Sequence, residues 1–166
     1  MQTPRRLRSV PDLDSAVAKL LAATDLTPDL TIDAGRWQLY RAASDDQANH
    51  ETLIQIATEE PDRPLAAALV VHMLGLTPAS DHPTWLATLA PSERAFATQR
   101  STELSLLRTP PSYEALTRDL DSYTNWLQLG LAESLTDKPS LHELATNGRT
   151  KRIRNLAKAR AKALLD

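Results

Sequence analysis

Residues 121–157 read DSYTNWLQLGLAESLTDKPSLHELATNGRTKRIRNLA, and the spacing of their apolar residues decides the fold. Tyr123, Trp126, Leu127 and Leu131 stand at i, i+3, i+4 and i+8, which gathers them on one stripe of a helix over about 122–134. Two further helices follow, over about 140–146 and 150–165, with Asn147-Gly148 as the turn between them. No run of the chain alternates apolar and polar residues convincingly with the period of two that a half-buried strand requires.

Towards the N-terminus the same periodicity continues, and the whole chain reads as about nine helices with no sheet. The expected helices cover about 12–23, 34–44, 46–58, 64–74, 83–89, 92–107 and a segment beginning near Ser112. Leu13, Val17, Leu20 and Leu21 make the stripe of the first, and Leu53, Ile56 and Ala57 that of the third. Phe96, Leu104 and Leu107 are the expected anchors of the sixth. Segment 64–74 is apolar on every face, which predicts a central buried helix. Trp37, Trp85, Trp126, Tyr40 and Tyr123 are expected in cores, an exposed one being a candidate hot spot for binding.

Eleven prolines and only four glycines punctuate the series. Thr27-Pro28, Thr77-Pro78 and Thr109-Pro110 have the order of a capping hydroxyl followed by proline in the first helical turn; phosphorylation is the alternative reading of these pairs. Ala and Leu are abundant while Val and Ile are scarce, which favours helix. A chain of 166 residues buries enough surface for one α-helical domain, 1–166, with 1–10 as a flexible basic N-terminal segment.

A short pattern recurs three times: an apolar residue, two others, Leu or Ile, Ala, then a tight turn and a basic residue that opens the next helix. It begins at Leu53 (LIQIATEEPDRPLAAA), near Trp85 (WLATLAPSERAFA) and at Leu141 (LHELATNGRTKRIRNLA). At an offset of 88, Leu53, Ile56, Ala57 and Leu65 meet Leu141, Leu144, Ala145 and Ile153. In this pattern, most clearly over 121–157, the chain resembles the HEAT-like helical repeat proteins. That resemblance implies an irregular helical stack; a compact multi-helix bundle is the rival architecture.

Charge is divided unevenly. Residues 149–166 hold seven of the nineteen Lys and Arg against one acid, and Arg5, Arg6 and Arg8 stand in a first decade without acids. Residues 11–148 therefore carry nine basic and twenty acidic side chains beneath an overall charge of −2. On a helix starting at Lys151, Lys151, Arg154, Lys158 and Lys162 fall opposite Ile153, Leu156, Ala157 and Leu164. Arg149, Lys151, Arg152, Arg154, Lys158 and Lys162 are thus the candidate binding residues, for the phosphate backbone of nucleic acid. Two features oppose nucleic acid: no aromatic follows Trp126 to stack on bases, and the acidic body repels phosphate. Pairing with acids of neighbouring helices is the simpler use of these charges. The alternative surface is acidic, with Glu59, Glu60, Asp62, Asp119 and Asp121 as candidates for a basic protein partner, although capping explains most acids at helix ends.

Zero cysteines exclude disulfides and thiolate zinc sites. His50, His72, His82 and His142 have no metal-ligand spacing, and His72 reads as a hydrogen-bonded core histidine. There is no nucleophile elbow and no Gly-rich phosphate loop. The expectation is a non-catalytic protein without cofactor or metal that binds another protein as adaptor, regulator or toxin-neutralising immunity-type protein. No apolar run approaches the length of a membrane span, no export signal is legible, and the chain is expected in the cytoplasm. Its Arg- and Ala-rich composition suggests a bacterial source.

Overall fold

The computed structural model describes residues 13–164; the basic segment 1–10 and the first residue of the expected helix at Asp12 lie outside them. Among the described residues the protein is all-α, with ten α-helices, three short 3₁₀ turns and no strand. Composition predicts one domain; the contacts divide the chain into two compact units, Met1–Ser101 and Thr102–Asp166.

In the first unit α1 (Leu13–Thr24) packs on α2 (Asp33–Ala43) and α3 (His50–Glu59), and α4 (Arg63–Leu76) packs on the same two helices. Leu20, Leu39, Leu53, Ile56, Leu69 and Met73 are fully buried at their core. The turn out of α1 puts Asp25 at φ 53, a left-handed helix end that Asp tolerates better than a branched residue. Gly35 follows from close packing: a Cβ there would stand 1.9 Å from the carbonyl oxygen of Asp29. The short α5 (His82–Ala87) and the start of α6 (Arg94–Arg108) complete this unit.

The second unit comprises the end of α6, α7 (Tyr113–Asp119), α8 (Asn125–Ser134), α9 (Lys138–Asn147) and α10 (Lys151–Ala163). α10 packs on both α8 and α9, and Leu116, Leu127, Leu131, Leu141, Leu144 and Ile153 belong to one apolar cluster. Gln128 is buried within this unit. Its amide donates to the carbonyls of Leu120 (2.8 Å) and Tyr123 (3.3 Å), and its carbonyl oxygen accepts the Arg149 N–H (2.8 Å).

The repeat at an offset of 88 has a structural counterpart. The Glu60 N–H donates to Ile56 at 2.8 Å and the Gly148 N–H to Leu144 at 3.0 Å. Asp62 then accepts the Leu65 N–H as Thr150 accepts that of Ile153. Both are helix hairpins closed by the same capping scheme. The copy near Trp85 departs from it, because α5 ends at Ala87, short of Leu89.

Three expectations are corrected. The Thr-Pro pairs do not open α-helices: Thr77 ends α4, its hydroxyl donating to Met73 at 2.8 Å, and Pro78 precedes only a 3₁₀ turn. Proline holds the residue before it extended, and Thr77 has ψ 156, so the pair terminates rather than starts a helix. Helix starts are instead capped by Asp62, Ser112, Thr124, Asp137 and Thr150. Phe96, an expected anchor, is 59% exposed, and Trp126 is 40% exposed. On α6 the buried position beside Phe96 is the small Ala97, and on α8 Leu127 and Leu131 carry the stripe without the tryptophan. Finally, α4 is not buried all round. Leu65, Ala66, Leu69, Val70, Met73 and Leu74 face the core, while its other side lines an open groove.

Candidate binding face

That groove lies in the first unit. Pro64, Ala67, Ala68, Val71 and His72 of α4 form its floor, Trp37 of α2 one wall and Phe96 of α6 another, around a volume of about 530 Å³. Every lining residue but His72 is apolar or aromatic. The Arg100 guanidinium sits over the Phe96 ring at 5.4 Å, so the exposed phenyl is held by a cation–π contact.

Trp37 also borders a second hollow with Gln38, Arg41 and Asp45. Asp45 in turn borders a third, of about 490 Å³, with Ser44, Gln47, His50, Leu76, Thr77 and Asp81. The three hollows are linked through Trp37 and then Asp45, from an apolar one at Phe96 to one that carries Asp45 and Asp81. Leu76 is 50% exposed within the latter.

A polar seam runs behind the face. The Ser44 hydroxyl donates to the Arg41 carbonyl at 2.6 Å and lies 2.9 Å from His72 Nε2. With its one proton given to Arg41, Ser44 can only accept from His72, so the imidazole is the donor. His72 also meets Trp37 edge-on, with ring centroids 5.5 Å apart. Burial, and then the nearby Arg41, hold its pKa below the ordinary imidazole value, against an opposing pull from Asp45. This serine and histidine therefore do not have the geometry of an activated nucleophile and base. A second pair, His82 and Ser101, lies 2.7 Å apart with its histidine buried.

Deeper still, Glu60 has a fully buried side chain. It accepts the Tyr40 hydroxyl at 2.7 Å and the Asp62 N–H at 3.1 Å, and it pairs with Arg36 at 3.3 Å. Burial, and then the bond to Glu60, push the Tyr40 pKa far above its ordinary range. Arg36 also reaches Asp33 at 2.6 Å and Asp62 at 3.6 Å. Two acids of the candidate acidic surface are thus engaged inside the fold: Glu60 with Tyr40 and Arg36, and Asp62 as the α4 cap. Glu59 is half-buried. In the second unit Asp119 pairs with Arg118 at 2.8 Å, and the exposed Asp121 offers its carbonyl to Arg149.

Of the basic candidates, Arg149 and Arg154 build the α9–α10 turn; Arg154 donates to the Gly148 carbonyl at 2.6 Å. Lys151, Arg152, Lys158 and Lys162 are exposed. Among the described residues no cluster of His, Cys, Asp or Glu could hold a metal ion, and no helix is long and apolar enough to cross a membrane. No family model, curated protein or solved structure matches this chain.

The sequence missed Asp45, Asp81 and Phe96 as members of one face. Their only signal is the excess of apolar residues on α4 over what a single buried stripe needs.

Proposed function

We propose that the protein acts by binding another protein through the face of its first unit rather than by catalysis. The observation that carries this reading is the solvent-open apolar side of α4 flanked by Trp37 and the exposed Phe96. Covering an aromatic side chain of this size contributes about 1.5–3 kcal/mol, the scale of an interface hot spot.

Charge gives the partner's chemistry. Residues 13–101 carry twelve Asp and Glu against six Lys and Arg, and two of those bases, Arg36 and Arg63, are occupied by Asp33, Glu60 and Glu93. The partner segment therefore presents apolar anchors to the Phe96 end and Lys or Arg to Asp45 and Asp81. The matching hairpins at an offset of 88 support a helical-repeat kinship, and an adaptor, regulator or immunity-type role fits such a face.

A helical peptide with a Leu stripe flanked by Lys tests the reading, followed by tryptophan fluorescence. It is expected to bind the protein, to lose at least tenfold in affinity to Phe96→Ser, and to weaken with Asp45→Lys. The charge-reversed Glu peptide is expected to bind at least tenfold more weakly. Equal affinity for both peptides, or indifference to Phe96→Ser, removes the reading.

A second reading, contact of α10 with nucleic-acid phosphates, is favoured by the exposure of Lys151, Arg152, Lys158 and Lys162. It predicts affinity that falls steeply with salt.

A further inference from the structure

We propose that the α9–α10 hairpin holds a binding site for a phosphoryl group, formed by Lys138 and His142 of α9 with Lys158 and Lys162 of α10. The site belongs to the second unit and does not depend on the protein-binding reading of the first.

The four side chains, with Ala161 as a buried floor, line a hollow of about 240 Å³. The fold explains their meeting. α9 and α10 reverse direction at Gly148 and Arg149, so the first turns of α9 lie beside the last turns of α10. Each helix contributes a pair at i and i+4, the spacing that stacks two side chains on one face. Sequence reading placed Lys158 and Lys162 on a basic stripe of α10; the hairpin adds Lys138 and His142 to it.

None of the four forms an ion pair among the described residues, in contrast to Arg36, Arg63 and Arg118. The adjacent acid, Asp137, is engaged as the α9 cap and accepts the Ser140 N–H at 2.9 Å. Like charges at i and i+4, as at Lys158 and Lys162, oppose helix stability, and Lys138 across the hollow adds a third positive charge to the potential there. The first turn of α9 adds the positive end of a helix dipole.

The donor set selects the anion. A planar carboxylate is best met by the two-pronged guanidinium of Arg, and the lining contains none. Lys ammonium groups are compact point charges on flexible stems, able to approach the tetrahedral oxygens of a phosphoryl group from separate directions. Such a group could arrive on a small molecule or in a nucleic-acid backbone; the donors see the same chemistry.

Amide NMR of the full chain at fixed ionic strength, with inorganic pyrophosphate and separately a short DNA duplex as probes, tests the site. Saturable shifts confined to residues around 138–142 and 158–162 are expected, with at least tenfold weaker affinity in Lys158→Glu/Lys162→Glu and unchanged circular dichroism. Saturation by pyrophosphate assigns the site to a small phosphorylated ligand, and saturation by the duplex alone assigns it to a nucleic-acid backbone. Shifts that grow linearly with both probes, or that survive the double variant, overturn the proposal. His142→Gln supplies a milder variant, expected to weaken binding about threefold.

Discussion

α4 and α10 invert the usual relation between polarity and exposure. α4 has a single charged residue, Arg63, yet leaves Ala67, Ala68 and Val71 against an open groove. α10 carries six Lys and Arg in thirteen residues, yet buries Ile153, Ala157 and Ala161 completely or nearly so. A narrow stripe matched to its neighbours is consumed by packing; apolar surface beyond that stripe remains for something else. The two units differ in their interiors in a parallel way. The first sets a buried carboxylate and phenol beside a part-exposed guanidinium, whereas the second holds its buried Glu103 against the Thr124 hydroxyl, next to an apolar cluster with one buried amide.

The largest break in that contrast is Glu60→Ala. It leaves the Tyr40 hydroxyl and the Asp62 N–H without their buried acceptor and opens a cavity beside them, while Arg36 keeps Asp33 and Asp62, and denaturant unfolding of the first unit should register a loss of about 3–5 kcal/mol. In the second unit Leu131→Ala should cost about 2–5 kcal/mol by opening a cavity among leucines. Gln128→Leu leaves the Arg149 N–H and two carbonyls without their partner, a loss of about 1–3 kcal/mol by the same measurement.

Acid sharpens the comparison further. His72 has a depressed pKa in the fold, so below the ordinary value of about 6.5 the unfolded chain takes up its proton first. Stability of the first unit should therefore fall as pH drops below about 6.5 and level off beneath the folded pKa. His72→Gln should remove that slope in unfolding curves measured across pH. Smallest of all is Phe96→Ser, which should change unfolding free energy by no more than about 0.5 kcal/mol while weakening peptide binding at least tenfold. A large loss of stability there would mean that Phe96 is a packing residue after all.

The helical architecture was legible because periodicity is a local property: residues 121–157 carry both their stripes and their turn. So was the amphipathic last helix. Phe96 and Trp126 were misread because hydrophobic character marks a residue as able to be buried without saying that a neighbour exists to cover it. The face formed by α2, α4 and α6 was illegible for a related reason, since Trp37, Asp45, Asp81 and Phe96 are up to 59 positions apart and meet only through tertiary packing. The buried Glu60 looked like a surface acid because it follows Glu59 in a charged run. Only the proximity of Tyr40 and Arg36 gives it a place inside.

Gln128 has a consequence for the order in which the second unit assembles. The α9–α10 hairpin joins residues close in sequence and can form rapidly, whereas the hydrogen bond from the Arg149 amide to Gln128 spans 21 residues and closes only when α8 has docked. Solvent exchange at that single amide thus acts as a clock, separating the moment the hairpin exists from the moment the unit is shut.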